Sequence, residues 1–233
     1  MSVIMKRTLW ISGAVFLIAL CFWFYQLWKG LILTHMVNSY NWGLYISGLA
    51  FFVGNAAGGL VLTSSIYLFG VKQLKPLAKL GALTAFANVT AAMLIVLPDI
   101  GQPLRLYNLI LHPNFMSPLV WDVIVLNLSA LASAIYLYIL MLPELTGKLS
   151  WLAIKVKNPH DFSERWAKRI APVALLFAIG IHVVTAWIFS TQGARDWWHS
   201  PAMAPDFISV AIAVGTTVVL LAGALVYGTG QKY

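Results

Sequence analysis

A chain of 233 residues that is 61% hydrophobic and 9% charged, with a mean hydropathy of +0.83, lies outside the composition of soluble globular proteins and within that of membrane proteins. Its net charge of +8 is not a nucleic-acid footprint, because the basic residues flank apolar runs, so no nucleic-acid partner is expected. One cysteine, Cys21, inside an apolar run, leaves no disulfide framework and no ligand set for an iron–sulfur cluster of the chain's own.

Lys6 and Arg7 precede a first apolar run over about 9–33, long for the core of a signal peptide and without a small-x-small cleavage pattern, so a retained helix is expected. The second run, about 42–71, carries Gly54-Asn55-Ala56-Ala57-Gly58-Gly59; Gly54 and Gly58 fall on one helical face, a pattern that permits close helix approach. A third run, 77–97, stops at Pro98-Asp99, and a fourth, 118–142, stops at Pro143-Glu144. Residues 146–168 read as a polar, aqueous connection before a fifth run at 170–189 and a sixth at 207–227. The expectation is an all-α membrane protein, residues 1–233 forming a single integral membrane domain of about six transmembrane helices. No internal repeat supports a duplicated transporter architecture.

Twelve of the fifteen basic residues fall on one side of this topology: Lys6, Arg7, Lys72, Lys75, Lys79, Lys148, Lys155, Lys157, Arg165, Lys168, Arg169 and Lys232. Lys29, Arg105 and Arg195 fall on the other. The asymmetry predicts both termini in the cytoplasm and the connection from Asp99 to Asp122 on the outward, periplasmic face of an inner membrane.

That outward face collects the unusual polar and aromatic residues. The first connection holds His35, Asn38, Tyr40, Asn41 and Trp42; the second holds Asp99, Gln102, Arg105, Asn108, His112, Asn114, Trp121 and Asp122; the third holds Gln192, Arg195, Asp196, Trp197, Trp198, His199 and Asp206. Tyr40 and Trp197 fit an ordinary interfacial aromatic belt. The remainder suits oxidation of a quinol, which releases two electrons and two protons and needs hydrogen-bond partners at both ring oxygens, a proton acceptor and an apolar slot. Asp122, about one turn inside the fourth helix, is the candidate proton acceptor, with the adjacent Trp121 ring as a wall; the alternative for Asp122 is a structural ion pair with Arg105. His182 lies mid-way along the fifth helix. No second histidine lies in a span, so bis-histidine haem is not expected, and His112, His160 and His199 have no metal-ligand spacing.

Several separated motifs, in order, resemble the NrfD/polysulfide-reductase family of integral membrane subunits. They are Trp42-Gly43-Leu44-Tyr45-Ile46-Ser47 running into the Gly54 to Gly59 stretch, then Asp99-Ile100-Gly101-Gln102-Pro103-Leu104-Arg105, and Asn114-Phe115-Met116-Ser117-Pro118-Leu119-Val120-Trp121-Asp122. Later come His182-Val183-Val184-Thr185-Ala186-Trp187 and the stretch from Trp198 to Met203-Ala204-Pro205-Asp206-Phe207. The resemblance implies a subunit with no haem or iron–sulfur cluster of its own that exchanges electrons between menaquinone or ubiquinone and a ferredoxin-like iron–sulfur subunit. It implies in turn a molybdopterin enzyme or a multihaem cytochrome as the further partner. It places Asp122 and His182 in quinone binding or proton transfer, with Asp99, Arg105, His112, Asn114, Trp121, Trp187, Gln192 and Arg195 around the quinone. In the register set by Gly58-Gly59, the positions where the polysulfide-reductase branch carries a quinone-contacting His and Asn are Ala50 and Ser47. Two other readings stand beside this one: a structural membrane anchor of such a complex with no quinone site, and a small ion or solute transporter.

Overall fold

The computed structural model describes residues 3–37 and 42–227. Asn38, Tyr40, Asn41 and Lys232 lie outside the described residues. Among the described residues there is no β-strand, and the α-helices are α1 (Val3–Lys29), α2 (Leu44–Leu68), α3 (Lys75–Val96), the single-turn α4 (Tyr107–Leu111), α5 (Pro118–Lys148), α6 (Pro159–Ser190) and α7 (Met203–Tyr227). All but α4 are long and apolar enough to cross a membrane. At ~1.5 Å rise per residue they run ~33–48 Å, more than the ~30 Å hydrocarbon layer.

α2 is the central helix, packed against α3, α6 and α7, while α5 lies against α6 and α3. Lipid supplies no hydrophobic drive between helices, so contact depends on small residues that let backbones meet. Gly58 of α2 meets Gly215 of α7, and a methyl on Gly58 would collide with the Gly215 backbone. One residue on, a methyl on Gly59 would come 2.7 Å from the Gly81 carbonyl oxygen of α3. The expected Gly54–Gly58 packing face is therefore corrected: Gly58 and Gly59 make the close contacts, whereas Gly54 has open space beside it.

Two boundaries also differ from expectation. α5 continues through Pro143 to Lys148, and α6 begins at Pro159, so the aqueous connection shrinks to residues 149–158. The first turns of α6 are amphipathic, with Ser163, Ala167, Ala171 and Ala174 buried in a stripe and Glu164, Arg165 and Lys168 outside. Polar residues on the outer face made this half of the helix resemble a loop. Lys75 pairs with Glu164 at 2.7 Å and Lys79 with Glu144, clasping the basic ends of α3, α5 and α6.

α1 stands apart. Its only buried side chain among the described residues is Gln26, whose Nε2–H donates to the Pro98 carbonyl at 2.7 Å and whose Oε1 accepts from the Tyr45 hydroxyl at 2.6 Å. This amide ties α1 to the start of α2 and to the turn after α3, at the end of the bundle opposite the basic clasp.

Candidate functional site

Pro118, at the first position of α5, starts the helix with its fixed φ, and one turn later Asp122 points into the bundle with 5% of its surface exposed. Its Oδ1 accepts a hydrogen bond from the Thr185 hydroxyl of α6 at 2.9 Å. The structure thus replaces the considered Asp122–Arg105 ion pair: Arg105 is exposed on the 99–117 connection, and the ion pairs among the described residues lie at the basic end.

Thr185 follows His182 by three residues on the same helix face. His182 is 3% exposed, with Nδ1 3.1 Å from the Ala178 carbonyl. A carbonyl only accepts, so the proton of neutral His182 sits on Nδ1 and Nε2 is left as an acceptor. The ring borders a cavity of about 260 Å³ between α2, α6 and α7, walled by Ala50, Phe51 and Gly54 on one side and Phe207, Val210 and Ala211 on another. Asp206, in the first turn of α7, lines the same cavity. The space exists because Ala50 and Gly54 carry little or no side chain. An imidazole acceptor and a carboxylate bordering one apolar pocket can receive protons from a flat, largely apolar diol.

Aromatic rings close around this region. Phe189 lies 5.2 Å from both Trp42 and Trp198 and 5.3 Å from Phe207, and Trp42 stacks on Trp198 at 5.9 Å. Arg195 holds its guanidinium 4.7 Å above Trp198, so it reaches the site through that ring.

The other predicted site residues are more dispersed. Trp121 donates its Nε1–H to the Phe115 carbonyl at 2.9 Å and is 39% exposed; it is fastened to the preceding connection and is not among the residues lining the His182 cavity. Asn114 accepts from the Met116 N–H at 3.1 Å, and both it and His112 are exposed. Asp99 is half-buried beside Pro98, with Oδ1 buried and unpartnered. Trp187 is exposed and Gln192 is half-buried at the end of α6. Asp206 and Thr185 are not among the predicted site residues; the three-residue spacing of Thr185 from His182 is the available signal.

The family model for polysulphide reductase, NrfD, matches residues 32–232. The chain belongs to the NrfD family. It is 37% identical over 221 residues to a Halobacterium salinarum protein named as a putative membrane subunit of dimethyl sulfoxide reductase, the match covering 92% of this chain and 50% of that one. It is 26% identical over 215 residues to a selenate reductase subunit of Mesobacillus selenatarsenatis, with 84% of this chain and 50% of the relative covered. It is also 26% identical over 202 residues to the Hdr-like menaquinol oxidoreductase integral membrane subunit of Archaeoglobus fulgidus, with 87% of this chain and 46% of the relative covered. This NrfD chain spans about half the length of these relatives.

Proposed function

We propose that this NrfD-family chain is the quinone-reactive membrane subunit of a respiratory oxidoreductase complex, and that the quinone ring occupies the cavity between α2, α6 and α7. The observation that carries the reading is the presence of His182 and Asp206 on one apolar pocket. Oxidation of a quinol releases two protons and two electrons; His182 Nε2 accepts from one ring hydroxyl and Asp206 from the other. The Asp122 carboxylate, hydrogen-bonded to Thr185 three residues from His182, holds α6 against α5 and stands by as a further proton acceptor. The two electrons leave to an iron–sulfur subunit that joins a molybdopterin enzyme or a multihaem cytochrome. The names of the relatives, subunits of dimethyl sulfoxide and selenate reductases and of a menaquinol oxidoreductase, support this assignment.

The test is quinol-driven reduction of the partner subunits in the native complex. His182→Gln and Asp206→Asn are each expected to slow it by about 100-fold or more while assembly is preserved, the usual range for loss of a proton-transfer group. Wild-type rates in both variants, together with no saturable binding of a quinol analogue to the complex, would leave the structural-anchor reading in its place.

A further inference from the structure

At the basic end of the bundle, away from the His182 cavity, a groove of about 410 Å³ runs between α5 and α6. Its walls are almost wholly apolar: Ile135, Tyr138 and Ile139 from α5, Phe162 and Trp166 from α6, and Ile154 from the 149–158 loop. Ile154 also borders the neighbouring pocket of about 550 Å³, which carries Lys155 and Lys157. The two spaces therefore meet at one residue, one apolar and the other cationic.

The loop is fastened where they meet. The Tyr138 hydroxyl donates to the Leu152 carbonyl at 2.9 Å and accepts from the Ile154 N–H at 3.1 Å, so it is fully engaged in holding the loop against α5. On α6, Phe162 packs on Trp166 with centroids 5.8 Å apart, and Arg169 covers that indole at 5.3 Å. The acids nearby are engaged elsewhere: Glu144 and Glu164 pair with lysines of α3, and Asp161 accepts from Asn158 at 3.3 Å. Among the described residues, Lys155, Lys157 and Arg165 have no carboxylate within ion-pair distance. Lys155 and Lys157, uncompensated and lining the pocket that adjoins an apolar groove, attract an anionic headgroup.

We infer that this groove and loop form a binding site for an anionic glycerophospholipid, one acyl chain lying along Tyr138 and Trp166 and the phosphate held by Lys155 and Lys157. The occupant is set by charge complementarity: a zwitterionic lipid fills the groove equally well, but its headgroup ammonium offsets its own phosphate, so it brings no net negative charge to the two lysines.

The test uses the protein purified with its accompanying subunits in mild detergent and offered equal amounts of phosphatidylglycerol and phosphatidylcholine, with retained lipid read by native mass spectrometry. Wild type is expected to retain phosphatidylglycerol preferentially. Lys155→Gln with Lys157→Gln lowers that affinity by about 30-fold, from the usual contribution of each lysine near an anionic headgroup, and leaves phosphatidylcholine unchanged. Ala134→Trp, which narrows the groove without altering its charge, lowers phosphatidylglycerol retention as well. Equal retention of the two lipids by wild type, or wild-type phosphatidylglycerol affinity in the lysine variant, overturns the site. Cross-links from Lys155 or Lys157 to a co-purifying polypeptide in place of lipid overturn it too, assigning the surface to a protein partner.

Discussion

The Asp122–Thr185 bond separates a structural role from a chemical one. Asparagine at 122 keeps an oxygen for the Thr185 hydroxyl, and interhelical hydrogen bonds in membrane proteins contribute only about 0.6 kcal/mol on average. Asp122→Asn is therefore expected to leave the thermal midpoint of the assembled complex almost unchanged while slowing quinol-driven electron transfer. Thr185→Val does the reverse to the local energetics: it strips a buried carboxylate of its donor, at a cost of about 1–3 kcal/mol, and should lower the midpoint visibly. If Asp122→Asn melts as early as Thr185→Val, Asp122 is primarily a structural residue. Asp122 and His182 stood out as candidates in the sequence because a carboxylate and an imidazole inside apolar spans need a reason to be there, and both are buried in the bundle. Asp206 did not, since an acid in the first turn of a helix is ordinary compensation for the helix dipole, and only the packing of α7 against α2 and α6 brings it to the pocket of His182.

The glycines of α2 show how one helix serves two ends. At Gly58 the neighbour is the backbone of α7, which cannot rotate out of the way, so Gly58→Leu is expected to push α7 from α2 and destabilise the bundle by about 1–3 kcal/mol or prevent its assembly. At Gly54, a single turn away, nothing stands within contact distance of an added methyl and the position lines the cavity. Gly54→Leu should fold normally and fill the space, weakening quinol-analogue binding with little change in thermal midpoint. Equal destabilisation by the two substitutions would show that both glycines pack helices, as their four-residue spacing alone suggests. Spacing records only that two residues share a face; which neighbour lies there is a tertiary fact. The early half of α6 was missed for a related reason. Hydropathy registers the polar outer face of residues 159–169, whereas the buried stripe of Ser163, Ala167 and Ala171 is made of small residues that scarcely move an average.

At the scale of the whole molecule, the candidate site and the basic clasp lie at opposite ends. The clasp of Lys75, Lys79, Glu144 and Glu164 marks one end; the 99–117 connection, the aromatic cluster around Phe189 and Asp206 on the cavity wall mark the other. Six apolar spans and this division were readable from the order of apolar runs and basic residues, because both are averages over many positions and tolerate boundary errors of several residues. The side of the membrane on which the proposed quinol chemistry takes place is predicted by the same asymmetry and can be tested directly. In a Cys21→Ser background, which removes the native exposed thiol, single cysteines at exposed Lys72 and His112 report the two ends. A membrane-impermeant maleimide is expected to label His112→Cys when the outer face of the intact inner membrane is exposed, and Lys72→Cys only after that membrane is permeabilised. The opposite pattern would turn the bundle over, placing the Asp206 end in the cytoplasm, and the twelve basic residues would then need an explanation other than topology.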